Sequence, residues 1–118
     1  MYKNRRSLMD NNIIDAVKKF RKDRNWEQFH NPKDLAISIS LEAAELLEIF
    51  QWSGSDLEVS EKKQEMQDEL ADILIYSIMM ANSLGLNLEN IVLNKLEKNN
   101  QKYPVEKSFG KKDKYTSL

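Results

Sequence analysis

The sequence predicts an all-α protein, a four-helix, bundle-like subunit completed by oligomerisation. Three observations predict it. Only three glycines and two prolines interrupt 118 residues. Helix-favouring Leu, Ile, Glu and Lys are frequent, and the period-2 alternation of strands is scarce. The run Leu70–Leu84, LADILIYSIMMANSL, is apolar on almost every side and carries one charge, Asp72. Three partner helices would cover much of such a helix, and a second subunit would cover it better.

Helix one is expected from about Asn12 to Arg24, with Ile13, Ile14, Val17 and Phe20 as its apolar stripe. A loop follows over Asn25–Asn31, with two aromatics and the single histidine. Asn31 is a good N-cap, Pro32 suits the first helical position, and Asp34 favours the first turn. Helix two therefore starts near Pro32 and ends near Phe50 or Trp52. Ser53-Gly54-Ser55-Asp56 reads as a turn. Ser60 is placed as the cap of helix three, which runs to Leu84 with Gly85 as its stop. Asn87 caps helix four, which turns Leu88, Ile91, Val92 and Leu96 inward and ends at Pro104. This divides the chain into an N-terminal extension (1–11), a helical domain (12–104) and a lysine-rich tail (105–118) expected to be extended or mobile.

The charge balance is nearly even, 18 basic against 19 acidic residues for a net charge of −1. A nucleic-acid-binding chain usually carries a basic excess, so none is expected as partner. With no cysteine, thiolate metal sites, disulfides and cysteine nucleophiles are excluded. The first residues, MYKNRRSLMDNN, lack the apolar stretch of a signal peptide. The apolar run is broken by Asp72, Ser77, Asn82 and Ser83 and reads as a core helix. The expectation is a cytoplasmic protein with no membrane segment.

Four carboxylates interrupt the greasy helices. Glu42 and Glu45 lie in LAISISLEAAELLEIF, and Glu69 and Asp72 open the long apolar run. An unpaired buried carboxylate is costly, so such groups are paired, neutralised or bound to metal. Spacing i, i+3 puts each pair on one face of its helix. At about 100° per residue, Glu65, Glu69, Asp72 and Tyr76 share a stripe, as do Ser38, Glu42 and Glu45. Glu48 falls off that stripe and is assigned to solvent, and Glu65 is at most a supporting group. Asp72 fits a plain solvated surface least well, because Asp is a poor residue inside a helix.

The lone histidine, His30, lies in a loop, where it is expected to hydrogen-bond without a catalytic role. Oxygen-only ligands favour hard cations, magnesium or manganese. Magnesium held by a few carboxylates commonly completes its shell with substrate phosphates. The pattern therefore points to phosphate-ester or phosphoanhydride chemistry with a metal-activated water as nucleophile. No glycine-rich phosphate loop exists, since Gly54, Gly85 and Gly110 stand alone. Basic side chains must then help hold a triphosphate, and Lys95, Asn99, Lys102 and Tyr103 are spaced to share a face of helix four. Trp26, Trp52 and Tyr76 could stack on a base, although on spacing alone plain core packing is the favoured reading of such aromatics. Any general base should be a carboxylate, with Glu45 the candidate.

These residues resemble a known family. Glu42-x-x-Glu45 followed by Glu69-x-x-Asp72 is similar to the signature of the MazG-like, all-α nucleoside triphosphate pyrophosphohydrolases. Trp26-Glu27-Gln28-Phe29-His30, Phe50-Gln51-Trp52, Asp68–Tyr76 and Lys102-Tyr103-Pro104-Val105 look like their dCTP pyrophosphatase branch. The resemblance runs from about Ile13 to Val105. It implies magnesium-dependent cleavage of a nucleoside triphosphate between the α and β phosphates, giving a monophosphate and pyrophosphate. It implies magnesium ligation by Glu42, Glu45, Glu69 and Asp72. By the same resemblance, Trp26, Trp52 and Tyr76 line the base and sugar pocket, and Lys95, Asn99 and Tyr103 lie near the phosphates and sugar. It further implies a homodimer, or a tetramer built from dimers. One departure stands out: dCTP-specific relatives carry a pocket histidine in the middle of helix one, where this chain reads Asp15-Ala16-Val17-Lys18-Lys19. The expected activity is house-cleaning hydrolysis of (deoxy)nucleoside triphosphates, dCTP-like ones favoured. The alternative is a non-catalytic helical nucleotide-binding or protein-interaction module, which would leave the paired acids without a purpose.

Overall fold

Local capping chemistry sets the starts of two of the helices. In the computed structural model, which describes residues 9–118 and side chains from Asn12 onward, Asn31 accepts the Asp34 amide at 2.9 Å and Pro32 opens the helix. Asn87 does the same for the Asn90 amide at 3.0 Å. Pro lacks the donor that a first turn would leave unpaired, and Asn supplies an acceptor for one that remains. The resulting elements are α1 (Asp15–Asp23), α2 (Pro32–Glu48), α3 (Lys63–Ser83), α4 (Leu88–Lys102) and a short α5 (Val105–Ser108), with no strand among the described residues. No single described helix is long and apolar enough to cross a membrane.

Several boundaries differ from the sequence-based expectation. Among the described residues, wider π-type turns over Met9–Ile14 precede α1 and run into it. The first eight residues of the expected 1–11 extension lie outside the described residues. The segment after α1 is not all loop: Trp26–Phe29 form a 3-10 turn, entered through Asn25 at φ 53. Ser60 does not cap α3. It starts a 3-10 turn, Ser60–Lys62, and no side chain caps that turn or α3; just before it, Asp56 Oδ1 accepts the Glu58 and Val59 amides at 3.1 Å each. That contact holds Val59, only 4% exposed, at φ 44 and ψ 55. A β-branched side chain rarely adopts this left-handed geometry, so local bonding and burial must outweigh its strain. The end of α3 follows expectation: Gly85, at φ 68, lets the Leu86 amide reach the Ala81 carbonyl at 2.8 Å and its own amide reach Asn82.

The chain divides into two compact units, the residues up to Leu86 and Asn87–Leu118. In the first, α2 packs along α3, and α1 also contacts α3. Leu35 and Met79 are its most deeply buried side chains, with Val17, Ile49, Val59, Ile78 and Ala81 also in the core. The second unit shows more order than an extended tail would. The Lys107 and Ser108 amides bond to the Pro104 carbonyl, so the proline that ends α4 also starts α5. Tyr115, in a last 3-10 turn, stands edge-on to Tyr103 at 6.0 Å, with the Lys102 ammonium 5.0 Å from its ring centre.

Candidate active site

Packing of α2 on α3 puts the two acidic pairs face to face. Carboxylate oxygens of Glu42, Glu69 and Asp72 all lie within 4.8 Å of one another, and the three side chains are half-buried. Glu45, more exposed, comes within hydrogen-bond reach of Glu69. The earlier acid of α2 thus meets both acids of α3 while the later one meets the earlier acid of α3, as expected for antiparallel neighbours.

Concentrated negative charge shifts protonation. The Glu69 carboxyl is pushed up to about 7, first by the proximity of Glu45, then by burial and by Glu42. Burial comes first in raising Glu42, and Glu45 and Asp72 add to it, while a proton shared with Glu69 pulls the other way. Two ionised carboxylates offer only acceptors, so a bond between them exists only while one holds a proton. Consistently, Glu42 Oε2 and Glu69 Oε2 are buried and accept no hydrogen bond from any described donor. Either a shared proton or a cation can relieve this arrangement. The donor set is all oxygen, so it fits a hard divalent cation. Glu42, Glu69 and Asp72 could hold such an ion directly, with Glu45 beside them.

Beyond the Glu45–Glu69 edge opens a cleft of about 380 Å³ lined by Glu45, Glu48, Ile49, Lys62, Glu65, Asp68 and Glu69. Glu48 is exposed as expected, yet it faces this cleft, because the cleft lies at the end of α2 rather than along its middle. Lys62 was overlooked, although its spacing of three residues from Glu65 and seven from Glu69 places it on the acidic stripe.

The remaining expected site residues are distributed as follows. Trp26 stands edge-on to Phe20 at 5.5 Å and to His30 at 6.3 Å. Trp52, 88% exposed, borders a smaller cavity of about 160 Å³ with Glu48, Ile49, Asp56 and Lys62 among its walls. Tyr76 is half-buried one turn beyond Asp72 on α3. In the second unit, Lys95 and Asn99 share a largely apolar trough on α4 with Ile91, Val92 and Leu96, and Tyr103 packs on Tyr115. His30 is a loop hydrogen-bonding residue, as expected. Its Nδ1 accepts from Arg21 Nε at 2.8 Å, and burial followed by the Arg21 charge lowers its pKa. Arg21 itself is a cation only 5% exposed, which the sequence pattern did not single out.

Comparison with known proteins adds a lineage to this geometry. A sequence model of the MazG-like family matches residues 37–118. Rat dCTP pyrophosphatase 1 is 39% identical over a region covering 84% of this chain and 61% of the relative. The human protein of the same name is 35% identical over the same shares. The chain thus spans about three-fifths of the length of these curated relatives. Among solved structures, a pyrophosphatase from Archaeoglobus fulgidus superposes with a TM-score of 0.71 at 45% identity, covering 79% of this chain and 90% of that one.

Proposed function

This chain belongs to the MazG-like family, and from that premise we propose that it hydrolyses (deoxy)nucleoside triphosphates, dCTP-like ones favoured, to monophosphate and pyrophosphate. The names of its relatives support the reaction class. The observation that carries the reading is the acid cluster: three carboxylates with oxygens within 4.8 Å, two of those side chains with a buried, unpartnered oxygen.

Glu42, Glu45, Glu69 and Asp72 are the proposed metal ligands. Magnesium, with manganese as substitute, would neutralise the triphosphate and make its phosphorus more electrophilic. Glu45 is both exposed and part of the cleft lining next to Glu69, so it is the carboxylate best placed to take a proton from water. The water oxygen bonds to the α-phosphorus, its proton passes to Glu45, and the bond from the α-phosphorus to the α,β-bridging oxygen breaks. That electron pair leaves on pyrophosphate. Trp26, Trp52 and Tyr76 are assigned to base and sugar, and Lys95, Asn99 and Tyr103 to the phosphates and sugar.

We place the enzyme in the cytoplasm as a homodimer or a dimer of dimers. Exposed Ile37 and Leu41 on α2, and Leu70 and Leu74 on α3, support association, because each pair is a one-turn apolar step that solvent would otherwise meet.

The test is incubation with magnesium and a panel of canonical and modified nucleoside triphosphates, followed by product identification. Monophosphate plus pyrophosphate is expected. Diphosphate plus phosphate would mean attack at a different phosphorus. No turnover across the panel would favour a non-catalytic nucleotide-binding or interaction module.

A further inference from the structure

The cleft beside the acid cluster has an unusual charge arrangement. Of the residues lining it, five are acidic (Glu45, Glu48, Glu65, Asp68 and Glu69) and one is basic, Lys62. Lys62 is exposed at the end of the 3-10 turn that leads into α3. None of the described carboxylates lies within ion-pair distance of its ammonium, although the cleft walls are acidic. A triphosphate whose reacting end sits at Glu42, Glu69 and Asp72 has to send the rest of its chain away from them. The cleft adjoins that cluster through Glu45 and Glu69, and its volume accommodates a diphosphate group with water.

Carboxylates repel phosphates, so cations must intervene along that path. Close to Glu45 and Glu69 the proposed metal would serve. Lys62 lies seven residues before Glu69, about 10 Å along the helix, and its four-carbon stem can swing back toward the cleft. Arg would form a fixed planar fork, whereas Lys is a compact charge on a flexible arm, suited to follow a group that departs.

We infer that Lys62 is the leaving-group ligand of this site, its ammonium donating hydrogen bonds to the β- and γ-phosphate oxygens of bound substrate and to the pyrophosphate released from it. The inference rests on the hydrolase reading above and adds a residue to it. Lys62 forms and breaks no covalent bond. It stabilises negative charge as the α,β-bridging oxygen takes up its electron pair.

Inorganic pyrophosphate is the suitable probe, because it is the product whatever base the substrate carries. Calorimetric titration of magnesium pyrophosphate into the full chain should give a dissociation constant roughly tenfold or more higher for Lys62→Ala than for wild type, the loss of one charge-assisted hydrogen-bond donor. Lys62→Arg should recover most of the affinity. Manganese binding without pyrophosphate, read by electron paramagnetic resonance, should be no weaker in Lys62→Ala, since that change removes a positive charge from beside the ligands. Equal pyrophosphate affinity in Lys62→Ala and wild type would overturn the inference, as would weakened manganese binding. If wild type hydrolyses triphosphates but binds no pyrophosphate, Lys62 loses its role while the hydrolase stands. Absence of hydrolysis across the panel would overturn both.

Discussion

Binding a divalent cation should release a countable fraction of a proton. Metal ligands must be deprotonated to coordinate, and the metal-free Glu69 carboxyl titrates at about 7 because Glu45 crowds it. A group with that pKa holds about 0.9 of a proton at pH 6, about 0.5 at pH 7 and about 0.1 at pH 8. Metal binding should expel those amounts from Glu69, and apparent affinity should fall roughly tenfold per pH unit below 7. The assay is calorimetry of manganese binding in buffers of different ionisation enthalpy, whose slope counts protons. Glu69→Gln should lose most of the release. A count near zero at pH 6 and 7, or one unchanged in Glu69→Gln, would refute the reasoning. Stability carries the same signature. The native state keeps the Glu69 proton between the ordinary carboxyl range and pH 7, where the unfolded chain has lost it. Native protein therefore binds more protons there, and this residue's stabilising contribution is lost as pH rises through that window. The difference in melting temperature between metal-free wild type and Glu69→Gln should shift against wild type as pH rises from 5 to 8, and metal should abolish the trend.

Asp72→Asn should abolish metal-dependent turnover while circular dichroism stays helical, and metal-free melting should rise, because a charge beside Glu42 disappears; melting below wild type would contradict this. Leu35→Ala should cost about 2–5 kcal/mol in urea unfolding, since Leu35 is only 1% exposed. A loss well under that range would mean the residue does not anchor the α2–α3 core. Trp52→Ala should raise KM several-fold and change stability by no more than about 0.5 kcal/mol, in line with its exposure; steady-state kinetics with the best panel substrate would check it.

The parts of the site legible in the sequence were those written in helical spacing. Two acidic pairs at i, i+3 sit in apolar runs, and the structure brings Glu42, Glu69 and Asp72 together with Glu45 against Glu69. Asn31 and Asn87 announced their helices because a cap is a local bond between neighbours. What periodicity could not show were the irregular links. Ser60 does not cap its helix, and the nearest side-chain bonds to the backbone are those of Asp56 to Glu58 and Val59, which depend on the path of the loop. Lys62 shares the acidic stripe, but a lysine at a helix start reads as solvated, and only the packing of α2 on α3 makes it part of a cleft wall. The burial of Arg21 against His30 was not legible either, because it depends on how the following turn folds back. Order after Pro104 was missed because its lysines suggested an extended or mobile tail, while Tyr115 packs against Tyr103.

Val59 has a further consequence for evolution of the connecting loop. A buried residue locked in a left-handed bend by Asp56 acts as an index mark for the helix that follows. Each residue inserted or removed between that mark and Glu69 would rotate the later acids by about 100°, turning them away from Glu42. The stretch Ser53–Ser55 can vary in length, because changes there precede both Asp56 and the mark it holds. Lys62 to Glu69, by contrast, tolerates substitutions but not indels. Homologous chains should therefore show length variation that stops at the equivalent of Asp56, a boundary set by rotation rather than by any contact with substrate.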